Sequence, residues 1–254
     1  MRSCFQYLPI LILFTVLINA CNAPPTLPPL PTPQPLTVLY TPALRPILNA
    51  VNACALQQPE IALLVKEVSA NFQDTIDADL SLRIGLPKNS TAFSAPITFD
   101  EILLIVHPTN PVETLSYGEI VSIFTGVISN WTKVNGDDSE IAVWINYSDD
   151  DTHQIFQDGI LQTLSPTTLS NLAPDPEAML TAVGNNPTAI GYLPRSWLSP
   201  SVKTIEIPSE VREKLIQPVL ALASGEPQGE SRVFLFCLQS GKGQEIIHDI
   251  YIEE

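Results

Sequence analysis

Histidine, cysteine and positive charge are all scarce in this chain. Its 254 residues contain three histidines, His107, His153 and His248. No HExxH pair, Gly-rich phosphate loop or Gly-x-Ser-x-Gly elbow accompanies them, so the usual signatures of zinc peptidases, P-loop enzymes and α/β-hydrolases are missing. The four cysteines stand in no CxxC or Cys/His spacing that would suit zinc. Lys and Arg number 12 against 27 Asp and Glu, giving a formal net charge of −15. That balance disfavours nucleic acid and anionic surfaces as partners. Charged residues make up only 15% of the chain and hydrophobic ones 45%, which argues against disorder. No internal repeat is visible. The reading at this level is a protein that is not an enzyme and carries no cofactor and no metal.

Long hydrophobic runs are also lacking beyond the N-terminus. Arg2 precedes an apolar run, Leu8 to Ile18, broken by Pro9 and Thr15. Such a run is too short for a convincing spanning helix and reads as a secretory signal peptide. Leu17-Ile18-Asn19-Ala20-Cys21 resembles a bacterial lipobox, which implies cleavage before Cys21 and a lipid on its sulfur. The alternative is a secreted protein in which Cys21 is incidental. Residues 22–35, NAPPTLPPLPTPQP, are half proline. Proline fixes φ and removes a donor, so this segment reads as an extended spacer. The expected organisation is a signal peptide over 1–20, a lipid-anchored linker over 21–35 and a folded domain over 36–254.

Cys4 and Cys21 belong to the export segment, leaving Cys54 and Cys237. An oxidising compartment permits a disulfide between them. Each also lies on the apolar face of an expected helix, where free cysteine packs as a small hydrophobe. The expectation is two buried thiols.

The domain alternates strand and helix. Strands are expected at Leu36–Tyr40, Ile61–Glu67, within Asp77–Ile84, and at Ile102–Val106, Ile141–Asn146, Ala189–Tyr192 and Val219–Leu222. Helical periodicity marks Pro42–Gln57, Ser116–Phe124, Thr152–Leu161, Pro176–Val183, Glu230–Leu238 and Gly243–Tyr251. This alternation predicts an α/β protein with largely parallel sheets.

Residues 97–131 read ITFDEILLIVHPTNPVETLSYGEIVSIFTGVISNW. The apolar strand, His107-Pro108-Thr109-Asn110-Pro111, the short helix, Ile123-Phe124-Thr125-Gly126 and Asn130-Trp131 follow in order. They resemble the interlobe crossover of the PstS-like phosphate-binding extracytoplasmic proteins. Asn186-Pro187-Thr188-Ala189-Ile190-Gly191-Tyr192, Ile216-Gln217-Pro218-Val219-Leu220 and Phe234 to Ile247 resemble that family's return strand, second crossing and closing helices. The resemblance implies a two-lobed type 2 periplasmic-binding fold joined by hinge strands. Lobe one would hold 36–107 and 194–254, and lobe two 108–193. It further implies a lipid-anchored, monomeric solute-binding protein on the outer face of a bacterial cell membrane, delivering a small molecule or ion to an ABC permease. His107 stands where the family often has Asn, which favours a structural role over that of a base.

Family members bind phosphate through a Gly-Ser/Thr loop after the first strand, a carboxylate near the third, and a Ser-Gly-Thr-Arg segment opening a helix of lobe two. Here the first loop is Thr41-Pro42-Ala43-Leu44. Thr41 and the Ala43 amide are candidate donors, although Thr41 as N-cap and Pro42 as first helical residue is also ordinary helix-start chemistry. Asp79 matches the third-strand carboxylate, and Arg83 is either an anion contact or a strand-end charge. Thr152 and Phe156 align with the family's Thr and Phe, which places Asp150 and Asp151 on the Ser-Gly pair and His153 on the Arg. Two carboxylates would repel a dianion, so tight phosphate binding is expected to be lost. Asp150, Asp151 and Thr152 could then form a helix cap beside a vestigial cleft, a site for a cationic or polyhydroxylated solute, or a calcium site. If the cleft is vestigial, the chain would be a sensor or an envelope interaction protein on the same scaffold.

Overall fold

The computed structural model describes residues 33–71, 77–88 and 90–251. The expected signal peptide over 1–20, Cys21 and the expected linker as far as residue 32 lie outside the described residues. Among the described residues no helix is long and apolar enough to cross a membrane.

Strand β1 (Gln34–Tyr40) starts two residues before the expected domain boundary, because Gln34 and Pro35 pair with Ile61 and Ala62 of β2 (Ile61–Glu67). A 3₁₀ turn, Pro42–Ile47, leads into α1 (Leu48–Leu56), which buries Ala50, Val51 and Cys54. Strand β3 (Leu80–Ile84) lies parallel to β1 on its other side. Strand β4 (Phe93–Val106) is 14 residues long and belongs to both halves of the molecule. Its first part pairs with β9 (Ile216–Ala223), and its last five residues pair with β7 (Ala189–Pro194). The remaining strands are β5 (Ala142–Asn146), β6 (Asn171–Ala173) and the two-residue β8 (Lys203–Thr204). The sheet order is β2-β1-β3-β9-β4-β7-β5-β6, with β8 against β4.

The outer pairs β1/β2, β1/β3, β5/β6 and β5/β7 are parallel, as the alternation predicts. The crossing strands β4 and β9 are antiparallel to their neighbours. Phe93–Glu101 is a strand that the sequence pattern does not show. It carries Pro96 and mixed polarity, and it is extended because β9 pairs with it, with a register shift at Pro96/Thr98.

The first lobe buries Val38, Leu44, Leu82, Val219 and Phe234 under α1, α6 (Gly229–Ser240) and α7 (Lys242–His248). Cys54 of α1 is disulfide-bonded to Cys237 of α6. This corrects the expectation of two thiols: both faces are apolar, as read, but they face each other.

The second lobe packs on α2 (Tyr117–Phe124), α3 (Asp151–Phe156), α4 (Pro176–Gly184) and α5 (Ser209–Leu215). Helix α2 opens on a capping box, with Ser116 and Glu119 satisfying each other's amides. Ile205, Val211 and Leu215 pack in this lobe, so 194–215, assigned from sequence to lobe one, sits in lobe two. The chain recrosses near Ile216, where β9 begins. Gly191 of β7 backs onto Met179 and Val183 with no room for a side chain. Phe124, Phe156 and Tyr192 come from three separate motifs and meet as one cluster, Phe156 stacked on Tyr192 with centroids 4.0 Å apart.

Candidate functional site

The C-terminal ends of β1 and β3, in lobe one, face the start of α3, in lobe two. Thr41 ends β1, and its φ of −83° and ψ of 155° place it as the N-cap of the 3₁₀ turn, with Pro42 following. Its hydroxyl does not cap that turn. It donates to Asp151 Oδ2 at 2.6 Å, across 110 residues of sequence. The Ile84 amide, at the end of β3, donates to the same oxygen at 3.0 Å. Gly85 follows with φ +73°, a left-handed value that turns the chain away at little steric cost.

Asp150 is the N-cap of α3: its Oδ1 accepts from the amides of Thr152 (2.8 Å) and His153 (3.3 Å). Asp151, one residue on, is fully buried, and its Oδ1 accepts from the Thr152 amide at 3.0 Å. The helix-cap reading therefore describes Asp150, while Asp151 reaches into the opposite lobe. Burial pushes both carboxyls above their ordinary range, and the charge of Asp151 pushes Asp150 further. Asp151 is eased by the Thr41 hydroxyl, the Ile84 amide and the positive charge of Arg83. Asp150 Oδ2 has no hydrogen-bond partner among the described residues. Burial thus disfavours the ionised form of both carboxyls, and the two titrate as an interacting pair.

Arg83 is 3% exposed and donates to Gln154 Oε1 at 3.2 Å and to the Ala70 carbonyl at 3.5 Å. Of the two readings of Arg83, the structure places it on the interlobe face. Ala43 is buried, and its carbonyl accepts from Trp197 Nε1 at 2.7 Å, which again links the lobes. Asp79 is not brought to this region. It sits at the opposite end of β3, where it accepts from the Thr37 amide at 2.7 Å and joins β1 to β3. A single strand, read in order, cannot tell which of its two ends faces the other lobe.

Sequence reasoning placed His153 on the family's Arg but missed Gln154 and Tyr192 as parts of the site. His153 Nδ1 lies 3.0 Å from Tyr192 Oη, which itself accepts from the Asn146 amide at 3.3 Å. Helical spacing was the available signal for Gln154, which falls one turn after Asp150. His107 bonds Thr109 through Nδ1 at 2.8 Å, inside the turn that ends β4.

Beside Asp151 a half-open cavity of about 960 Å³ lies between the lobes. Arg83, Lys88 and Lys214 supply its positive charges, and Asp151 and Asp158 its negative ones. Asn71, Gln154, Gln157, Gln162 and Gln217 line it with amides. Lys88 is paired with Asp158 at 2.8 Å, and Lys214 lies 5.3 Å from the Tyr117 ring centroid. Among the described residues no group of three or more His, Cys, Asp or Glu could hold a metal ion.

A family model described as a PBP superfamily domain matches residues 68–225. The chain belongs to the PBP superfamily. Its fold is that of the PstS-type, type 2 periplasmic-binding proteins. A putative phosphate ABC transporter substrate-binding protein from Clostridium perfringens, solved with bound phosphate, superposes with a TM-score of 0.78 at 22% identity, over 87% of this chain and 99% of that one. An ABC-type phosphate transport receptor from Vibrio cholerae gives 0.71 at 20% identity, over 86% and 99%. The regulatory domain of Synechocystis CcmR, in complex with 2-PG, gives 0.60 at 14% identity, over 81% and 96%. No curated protein matches the chain in sequence.

Proposed function

We propose that this PBP-superfamily chain is an extracytoplasmic solute-binding lipoprotein, lipidated at Cys21, that delivers a small polar solute other than phosphate to an ABC permease. The observation that carries the reading is the position of Asp151. Its carboxylate occupies the donors of Thr41 and Ile84, and Asp150 adds a second acidic group beside it. A dianion entering there would meet like charge in a desolvated cleft, and the repulsion is poorly screened at that depth.

The cavity next to Asp151 supports a different solute class. Its size is that of an ordinary small-molecule site, about 300–1,000 Å³. Five amide side chains stand in its polar lining beside five charged ones, and each amide offers both donors and acceptors, the pattern that hydroxyl-rich neutral solutes use. Three cations against two carboxylates leave little field to attract a polyamine. We therefore favour a polyhydroxylated solute over a cationic one. The site residues of the proposal are Thr41, Ala43, Arg83, Asp150, Asp151 and Thr152, joined by Gln154 and Gln217, with Asp79 serving the sheet instead.

The second reading is a sensor or envelope interaction protein on this scaffold. It draws support from the regulatory domain that shares the fold. A thermal-shift panel of sugars, polyols, amino acids, polyamines, calcium, sulfate and phosphate on the full chain separates the two. Ligand at about 100 times its dissociation constant stabilises by about 2.7 kcal/mol. Stabilisation by a sugar or polyol supports uptake of that solute. Stabilisation by phosphate overturns the reading of Asp150 and Asp151, and a flat panel favours the second reading.

A further inference from the structure

The contacts between the lobes are numerous and come from both rims of the cleft. On one rim Trp197 donates to the Ala43 carbonyl, and Arg45 reaches Asp175 at 2.9 Å. On the other, the Ala70 amide donates to the Asp149 carbonyl at 3.0 Å, and Gln154 accepts from Arg83. Between them lies Asp151, with no exposed surface. One of its oxygens takes two hydrogen bonds from lobe one, and the other takes an amide of its own helix. Thr41 Oγ1 and the Ile84 amide come from two different strand ends and converge on a single oxygen, which is the geometry of a seat for an oxyanion.

We propose that Asp151 is a tethered ligand: its carboxylate, carried on lobe two, fills an oxyanion seat that Thr41 and Ile84 form on lobe one, and thereby clasps the lobes with the chain's own atoms. This deepens the solute-binding reading and rests on it in one respect, that the same cleft receives the solute. The solute then binds beside the seat, in the cavity bounded by Gln154, Gln217 and Lys214, and does not displace Asp151. The seat itself takes a small oxyanion, a carboxylate or a phosphate, once the side chain is removed.

Chemical rescue tests this directly. Asp151→Gly removes the carboxylate and leaves the donors, and formate and inorganic phosphate serve as probes on the full-length protein. Wild type is expected to show no saturable thermal shift with either probe. Asp151→Gly is expected to melt lower and to regain about 5–10 °C at saturating formate or phosphate. Asp151→Asn, whose amide still fills the seat, is expected to respond to neither. Absence of any saturable gain in Asp151→Gly overturns the proposal, as does an equal gain in wild type.

If Asp151→Gly does not fold, the cycle of Thr41→Val, Asp151→Ala and the double variant reads the same contact in urea. Clear non-additivity is expected, and additive losses overturn the clasp. The rescue is read with formate and phosphate alone, in the absence of any panel solute. The rescue arms therefore fail or succeed independently of whether any panel solute binds.

Discussion

Two adjacent aspartates have different work because of one residue's difference in helix position. Asp150 sits at the N-cap and satisfies amides of its own helix; Asp151 is in the first turn and serves the other lobe. Both are buried with raised carboxyl pKa values, as is Asp100, which burial pushes up to about 6. A carboxyl raised in the folded state contributes stability that is present below its unfolded value, near 3.9, and lost as pH climbs through the folded one. The melting temperature should therefore fall as pH rises from about 4 to about 7. Asp150→Asn keeps an acceptor for the helix amides, since Asn caps about as well as Asp. It should flatten that slope, and calorimetry across the pH range checks it. An unchanged slope would remove Asp150 from the account. Thr41→Val leaves the buried Asp151 oxygen short of a donor and should cost about 1–3 kcal/mol in urea denaturation.

At the scale of elements, helix α2 is the clearest case of structure written locally. Ser116 and Glu119 close a capping box, and Ile120, Ile123 and Phe124 form its buried face. Ser116→Ala should cost about 1 kcal/mol, measured by thermal or urea unfolding. Helix α3 is the opposite case. It is held by its aromatic anchor: Phe156 stacks on Tyr192 and meets Phe124. Phe156→Ala should cost about 3–5 kcal/mol, because a large buried ring leaves a cavity in a packed cluster. It should also loosen the interlobe grip, which hydrogen exchange at the Ile84 amide would register as faster exchange.

At the scale of the molecule, the disulfide closes a very long loop. Cys54 and Cys237 are 183 residues apart, and between them the chain builds the entire second lobe. Cross-linking so distant a pair chiefly restricts the unfolded chain, and its removal typically costs about 2–5 kcal/mol. The Cys54→Ala, Cys237→Ala variant should melt well below wild type, and wild type in reductant should approach it. Because the bond lies wholly within lobe one, the variant should still give the same response to any panel solute. A lost response would show that the two lobes are more tightly coupled than their separate cores suggest.

The sequence alone determined what depends on neighbours in the chain. Helical periodicity marked α2 and α4, apolar runs marked β1, β2 and β5, and the ordered motifs from 97 to 131 and 186 to 192 pointed to a two-lobed fold. They also drew notice to Asp150 and Asp151, since two carboxylates at a helix start are visible in one line of text. Only the tertiary structure decided the rest. Phe93–Glu101 became a strand because β9 pairs with it, and 194–215 joined lobe two because Val211 and Leu215 bury themselves there. Cys54 met Cys237 because α1 and α6 pack face to face. Asp79 fell at the far end of its strand, while Asp151 found Thr41 and Ile84 across the cleft. The physical reason is common to all four: each depends on which distant surface a segment meets, and burial and hydrogen bonding between remote segments leave no periodic trace in the sequence that encodes them.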